Sequence, residues 1–357
     1  QEQQKNVSLK NLSFLNKLIY IFNLILLVLW GIAFMAPYLN PKSFTIPAIL
    51  AIAYPLILGL HVLFVIYWLM RFNRKILLSV SAIALSYFFS IPIFQPKSSF
   101  KALAKDNSFS ILSFNSQLAY FSGGKKEEVE GHQSKIAHFI KQENADVICL
   151  QEVRKGMSSN LNYPHTRTFG FSQIHSKYEI ITSEKIEFNE NSTNNSCFAD
   201  FRIHEDTVRV YNLHLESLHL GNEDYNLLKK RSDSEVENEF QDNTKKLKQK
   251  IGLATSKRVN QIEKILNSIA DSPYPTLICG DFNDVPQSYI YRKLIENHKD
   301  AFIESGKGYG ATYRQLIFPF RIDYILPHKH WNAYNFEVLE DKLSDHQAIR
   351  CDIEFNQ

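Results

Sequence analysis

Hydrophobic and polar positions divide the chain into two regimes. In the first, apolar residues follow one another without a period. Leu18–Ala36 contains one clearly polar side chain, Asn23, and Ile46–Met70 and Ile76–Phe94 are comparable runs. Each can cross roughly 30 Å of hydrocarbon at about 1.5 Å per residue, so the pattern predicts three transmembrane helices, over about 18–36, 46–70 and 76–94. Trp30, Tyr38, Tyr67 and Trp68 stand near run ends, where interfacial aromatic residues collect. Three runs in succession argue against a signal peptide or a lone core helix, and no small-residue cleavage site follows the first.

In the second regime, strand-like and helix-like periods alternate. Gln95–Asn107, with Pro96 and several Ser and Lys, reads as a linker, and the domain plan is a membrane domain over 1–95, a linker over 96–106 and an α/β domain over 107–357. Strands are expected at Phe109–Asn115, Asp146–Glu152, Tyr178–Ser183, Cys197–Ile203, Thr207–Leu215, Thr276–Cys279, Phe320–Leu326 and Ala348–Phe355. Helical spacing covers Glu127–Asn144, Lys257–Ile269 and Tyr289–Asn297. The highly charged stretch 219–250 mixes signs, as a solvated helical face or mobile loop does.

Charge sharpens the division. Residues 1–100 hold eight Lys/Arg and one acid, Glu2, so the remainder carries 32 basic and 36 acidic groups, a net of −4. The overall +3 therefore belongs to the apolar segment and does not advertise a nucleic-acid surface. Lys5, Lys10 and Lys17 precede the first run, Arg71, Arg74 and Lys75 crowd the second connection, and the first connection has only Lys42. Positive-inside counting places the N-terminus in the cytoplasm and the α/β domain outside, as a multi-pass protein of an inner membrane with a periplasmic domain. Cys149, Cys197, Cys279 and Cys351 have neither disulfide-framework nor metal-ligand spacing, and three of them lie in apolar strand-like runs, as buried thiols do.

The candidate chemistry lies at strand ends. Pro275–Asp284 is a buried strand broken by Gly280, beyond which Asp281 and Asn283 stand two apart, on one face of an extended segment. Asn115, Glu152, His214, Asp323, Asp345 and His346 occupy similar settings, at the ends of apolar strands or inside them. Buried charges need partners, because desolvation costs several kcal/mol per ion, so eight such residues point to one shared cleft. Four carboxylates, two histidines and two carboxamides, with no thiolate, suit a hard divalent cation, Mg²⁺ or Mn²⁺. Such a site favours attack by water on a phosphate ester.

The blocks Asn115, Gln151-Glu152, Asn212-Leu213-His214, Gly280-Asp281-Phe282-Asn283, Arg321-Ile322-Asp323-Tyr324 and Ser344-Asp345-His346 stand in the order of the endonuclease/exonuclease/phosphatase superfamily, which the chain resembles over about 107–357. The resemblance implies a DNase I-like four-layer α/β sandwich, two mostly antiparallel sheets with helices outside. It implies that Glu152, Asp345 and Asn115 ligate the metal. His346, paired with Asp323, would activate water, Asp281 would orient it, Asn283 would bind a phosphoryl oxygen and His214 would serve the leaving group. The carboxylate paired with His214 is not evident, Glu179 being one candidate, while Tyr313 and Arg314 could line the phosphate pocket.

The expectation is a membrane-anchored bacterial phosphoric ester hydrolase that uses Mg²⁺ or Mn²⁺ and no nucleotide cofactor. Its substrate would be a lipid head group or nucleic acid, and its partners membrane lipids and a membrane complex. The rival expectation is a non-catalytic membrane-complex subunit using the same fold as a binding module.

Overall fold

The computed structural model describes residues 13–96, 107–117, 126–154, 156–188, 192, 194–218, 237–314, 319–340 and 342–355. The expected linker beyond Pro96 and the charged run 219–236 lie outside these residues. The chain forms two compact units, one reaching to Pro92 with Gln287–Tyr289, the other holding Ile93–Pro286 and Ile290–Gln357.

The first unit is helical, over Phe14–Phe34, Thr45–Ile52, Tyr54–Met70 and Ile76–Phe89. Three straight spans are not what these residues build. One apolar helical stretch, Phe14–Tyr38, is long enough by itself to cross a bilayer, while Thr45–Ile52 and Tyr54–Met70 meet the same test only together, bent by 66°. Pro55 in the first turn of Tyr54–Met70 explains the break, since its ring excludes a continuous helix from the preceding turn. The third run stops at Phe89 because Pro92 disfavours helix in the residue before it, leaving 14 helical residues.

This unit is polar inside and apolar outside. Trp68 Nε1 donates to Asn23 Oδ1 at 3.0 Å, Asn23 Nδ2 donates to Ser79 Oγ at 2.9 Å, and His61 Nδ1 lies 3.0 Å from the same hydroxyl. Trp30 and Tyr54 donate to Ser86 Oγ at 2.9 and 2.8 Å. All seven residues are buried, while Phe22, Val28, Leu63, Ile66, Leu77 and Phe88 are exposed.

The second unit is a sandwich of two mixed sheets. One has six strands in the order β10-β11-β1-β2-β4-β3, and the other five, β5-β6-β7-β8-β9. Here β1 is Ser108–Asn115, β2 Val147–Gln151, β3 His165–Phe169, β4 Ser172–Ser176, β5 Glu179–Ile186 and β6 Ser196–Ile203. The remainder are β7 Asp206–His214, β8 Thr276–Asp281, β9 Asp323–Leu326, β10 Asn332–Leu339 and β11 Ala348–Glu354. Each sheet contains one parallel pair, β1 with β2 and β7 with β8. The edge strands β3 and β10, and β4 beside β3, carried no expectation from the sequence. Asp323, expected inside a strand, is instead the first residue of β9.

Alternation on the strands fills the space between the sheets. Phe109 and Ile111 of β1, Val147 and Cys149 of β2, Val208 and Val210 of β7, and Leu277 and Cys279 of β8 belong to one buried cluster. The opposite face of β1 and β2, through Leu112, Phe114, Ile148 and Leu150, packs with Ile136, Ala137 and Ile140 of helix Lys126–Glu143. Helix Glu237–Ala270 buries Val259, Ile262 and Ile265, and its Ser268 hydroxyl lies 3.0 Å from that of Tyr211 on β7.

Gly280 lets β7 and β8 come together where the site begins. It sits at φ +129°, and a Cβ there would fall 2.0 Å from the Leu213 carbonyl oxygen. Gly280→Ala should therefore cost about 3 kcal/mol of stability, as backbone strain of this kind does. Denaturant unfolding checks it, and a loss below about 0.5 kcal/mol would mean that the close approach is not required.

Candidate active site

The inner faces of the central strands are apolar until their last residues, where the same period of two delivers polar groups. Continuing Ile111 and Ser113 gives Asn115, Cys149 gives Gln151, Val210 gives Asn212 and His214, and Cys279 gives Asp281. Register aligns them: Asn115 pairs with Gln151, His214 with Asp281, and Asp281 with Asp323 at the start of β9. Five strands thus end or begin at one polar cluster between the sheets.

Asp281 is its hub. Its Oδ2 accepts from Asn115 Nδ2 at 3.0 Å, a bond that crosses from one sheet to the other, and from Asn283 Nδ2 at 3.2 Å. Its Oδ1 accepts the Asn283 backbone N–H at 2.8 Å. His346 Nε2 and His214 Nε2 stand 3.7 and 3.8 Å from Asp281 Oδ2. Asn115 Nδ2 also donates to Glu152 Oε1 at 3.2 Å, and His214 Nε2 is 3.5 Å from that oxygen. His346 Nδ1 lies 2.9 Å from Asp323 Oδ2, which fixes the ring between two carboxylates. Ligand atoms of Asp281, Asp323 and His346 lie within 4.8 Å of one another.

Asp345 joins through a residue that no sequence pattern singled out. Gln117 Nε2 donates to Asp345 Oδ2 at 2.9 Å, while the Gln117 backbone N–H donates to Asn115 Oδ1 at 3.1 Å. Gln117, Glu152 and Asn283 hold φ of +52°, +55° and +52°, uncommon for residues with a Cβ. Asn283 spends both side-chain N–H bonds within the fold, on Asp281 and on the Leu215 carbonyl at 3.0 Å, so it holds Asp281 in place. Glu179 does not reach His214: it pairs with Arg202 at 2.8 Å on exposed β5. Arg314 is a surface group 3.5 Å from Glu340, but the Tyr313 ring does pack against His346, with centroids 5.0 Å apart.

A buried layer supports the cluster. Gln151 Nε2 donates to Asn212 Oδ1 at 2.7 Å across the sheets, and Asn212 Nδ2 donates to the Leu150 and Gln173 carbonyls. Arg258 Nη1 lies 2.7 Å from the Asn283 carbonyl oxygen and 2.8 Å from Asp284 Oδ2, clamping the turn after Asp281. Two residues before Asp323, buried Arg321 pairs with Asp300 and lies against the rings of Phe302 and Tyr324, 4.5 and 4.9 Å from their centroids. Tyr324 in turn stacks on Phe282 at 4.7 Å, tying the Asp281 and Asp323 segments together.

The electrostatics follow from burial. Desolvation pushes the Glu152 carboxyl up to about 7, outweighing the Asn115 hydrogen bond that favours ionisation. Burial likewise raises Asp281 and Asp345, against the pull of His346. For His346, burial pulls downward, but Asp323 and Asp281 outweigh it and the imidazole is pushed up to about 10. The cluster is therefore short of positive charge. Its donors are oxygen-rich, and Asp323 Oδ1 is buried without a hydrogen-bond partner among the described residues, so the set fits a hard divalent cation.

A carboxyl whose folded pKa exceeds its unfolded value of about 4.3 stabilises the fold below that value and loses this as pH rises through the folded pKa. Without divalent cations, stability should thus fall as pH rises through about 7, and Glu152→Gln should remove part of that fall. Melting curves between pH 5 and about 9, with EDTA, check it; an unchanged slope in the variant contradicts it.

The model of a domain of unknown function (DUF8431) matches residues 16–92 of the helical unit. A search of curated proteins found no match. Among solved structures, an endonuclease/exonuclease/phosphatase family protein from Bacteroides thetaiotaomicron superposes with a TM-score of 0.50 at 14% identity, over 70% of this chain and 98% of that one. The human Nocturnin catalytic domain gives 0.49 at 16%, over 71% and 96%. Truncated Caenorhabditis elegans TDP2 gives 0.47 at 17%, over 70% and 98%. The model of the Endonuclease/Exonuclease/phosphatase family matches residues 112–346, well over half of the chain, and spans the whole cluster from Asn115 to His346: the chain belongs to that family of phosphate-ester hydrolases.

Proposed function

We propose that residues 107–357 are a catalytic domain that hydrolyses phosphate esters with the help of a divalent cation, Mg²⁺ or Mn²⁺, and that the helical unit holds it in a membrane. The observation that carries this reading is the convergence on Asp281, where Asn115, Asn283, His214 and His346 surround a buried carboxylate beside Glu152 and Asp323. Glu152, Asp345 and Asn115 would hold the cation. When bound, it offsets charge growing on the phosphate and makes a coordinated water more acidic.

The protein groups divide the remaining work. Asp281, held by two carboxamides, accepts a hydrogen bond from the attacking water and aims it. His346, fixed through Nδ1 by Asp323, presents Nε2 to the same space and holds a water or a phosphoryl oxygen. His214, at the end of β7 beside Asp281, is placed to donate to a phosphoryl or leaving-group oxygen. Donors already fixed before the reaction stabilise the transition state without reorganising.

Membrane embedding is supported by the reversed polarity of the helical unit, whose polar side chains bond to one another inside while Leu, Ile and Phe face outward. The net −4 of residues 101–357 disfavours a phosphate polymer, whose binding draws on basic surface, and favours the phosphorylated head group of a membrane lipid.

The purified chain, residues 1–357, should hydrolyse bis-p-nitrophenyl phosphate with Mg²⁺ and stop with EDTA. His346→Ala and Asp281→Asn should each lower kcat by about 10²- to 10⁴-fold. Full activity in either variant, or in EDTA, contradicts these roles. In a side-by-side screen, lipid phosphodiesters and monoesters should turn over faster than DNA or RNA; the reverse order would make the protein a nuclease.

A further inference from the structure

The turn after helix Tyr54–Met70 uses a residue unsuited to its own backbone. The Asn73 N–H bonds to the Trp68 carbonyl at 3.1 Å and the Phe72 N–H to the Leu69 carbonyl at 2.9 Å. This is the Schellman closure of a helix, whose left-handed position is normally glycine. Here it is Phe72, at φ +47° and 95% exposed. A bulky side chain at positive φ is a strained choice, and an aromatic ring held fully in the open gains nothing within the fold.

Its surroundings say what the ring meets. Arg71 and Arg74 are exposed beside it, and Lys75 lies 4.8 Å from the centroid of Tyr20. Asn16 accepts a hydrogen bond from Tyr67, which brings Lys17, in the first turn of helix Phe14–Phe34, to the same end of the unit. Residues 13–92 contain no Asp or Glu, so these cations have no carboxylate among the described residues of their own unit. Beneath them Tyr20 and Tyr67 pack edge-on against Trp68, centroids 6.4 and 5.0 Å apart, a layer of rings with polar edges such as forms at a bilayer interface.

We propose that the Arg71–Lys75 turn docks on acidic phospholipid: Lys17, Arg71, Arg74 and Lys75 hold lipid phosphates while Phe72 enters the uppermost acyl carbons. This rests on the membrane embedding proposed above. The strain at Phe72 is then offset in the bilayer, where its ring leaves water, and each cation near an acidic surface strengthens association about fivefold.

The test places a reporter at the turn. In nanodiscs, the emission that Phe72→Trp adds to that of its parent, whose tryptophans Trp30, Trp68 and Trp331 are buried, should lie at shorter wavelength than that of an indole in water. Acyl-brominated phosphatidylglycerol should quench the new indole more than acyl-brominated phosphatidylcholine at equal mole fraction. High salt, or Arg71→Gln with Arg74→Gln and Lys75→Gln, should abolish the difference. Phe72→Gly, freed of strain, should melt higher in detergent yet gain less stability than its parent on transfer from detergent to phosphatidylglycerol nanodiscs. Equal quenching by the two lipids, water-exposed emission, or an undiminished bilayer stabilisation in Phe72→Gly would overturn the proposal. Release of the protein from membranes by alkaline carbonate would overturn the embedding reading itself, which separates the two failures.

Discussion

A carboxylate withdrawn from water sets the terms for the rest of this structure. Asp281 is 1% exposed, and an ion so placed costs several kcal/mol unless other groups replace its hydration. Asn115 from the facing sheet, Asn283 from the turn and two nearby imidazoles supply that replacement. Each donor needs its own support. Gly280 lets β8 close on β7, Arg258 clamps the Asn283 carbonyl, and Arg321 anchors the segment carrying Asp323 among aromatic rings. A site of this kind trades stability for chemistry: its carboxylates gather too close and too deep for an isolated fold, which is the condition that invites a cation.

Much of this was legible because one rule, alternation along a strand, makes the core and the site together. The face that carries Ile111, Cys149, Val210 and Cys279 into the interior is the face that ends in Asn115, Gln151, His214 and Asp281. Polar residues at the ends of apolar runs were therefore a strong signal. The signal failed where pattern does not determine position. β3, at the edge of its sheet, is only partly buried, so its sequence lacks a sharp alternation. Gln117 reaches Asp345 through a positive-φ turn that its neighbours do not announce. Glu179 was eligible by residue type alone and proves to serve an exposed pair with Arg202.

The apolar regime teaches a different lesson. Counting hydrophobic residues gives the length of a run but not its continuity, and Pro55 and Pro92 divide or shorten runs that hydropathy leaves whole. What hydropathy also misses is the interior: Asn23, Ser79, His61 and Trp68 form one hydrogen-bonded chain, with apolar side chains turned outward around it. Such a unit bonds its buried polar side chains to one another, and His61 Nε2 is left without a partner among the described residues.

The proposed hydrolysis requires the polar end of the sandwich to hold a divalent cation. Crystals of the protein soaked in Mn²⁺ and measured at the manganese edge would locate it directly. An anomalous peak is expected in contact with Glu152 and Asp345, beside Asp281, and is expected to be lost in Glu152→Gln. Manganese bound elsewhere while that cluster stays metal-free would contradict it.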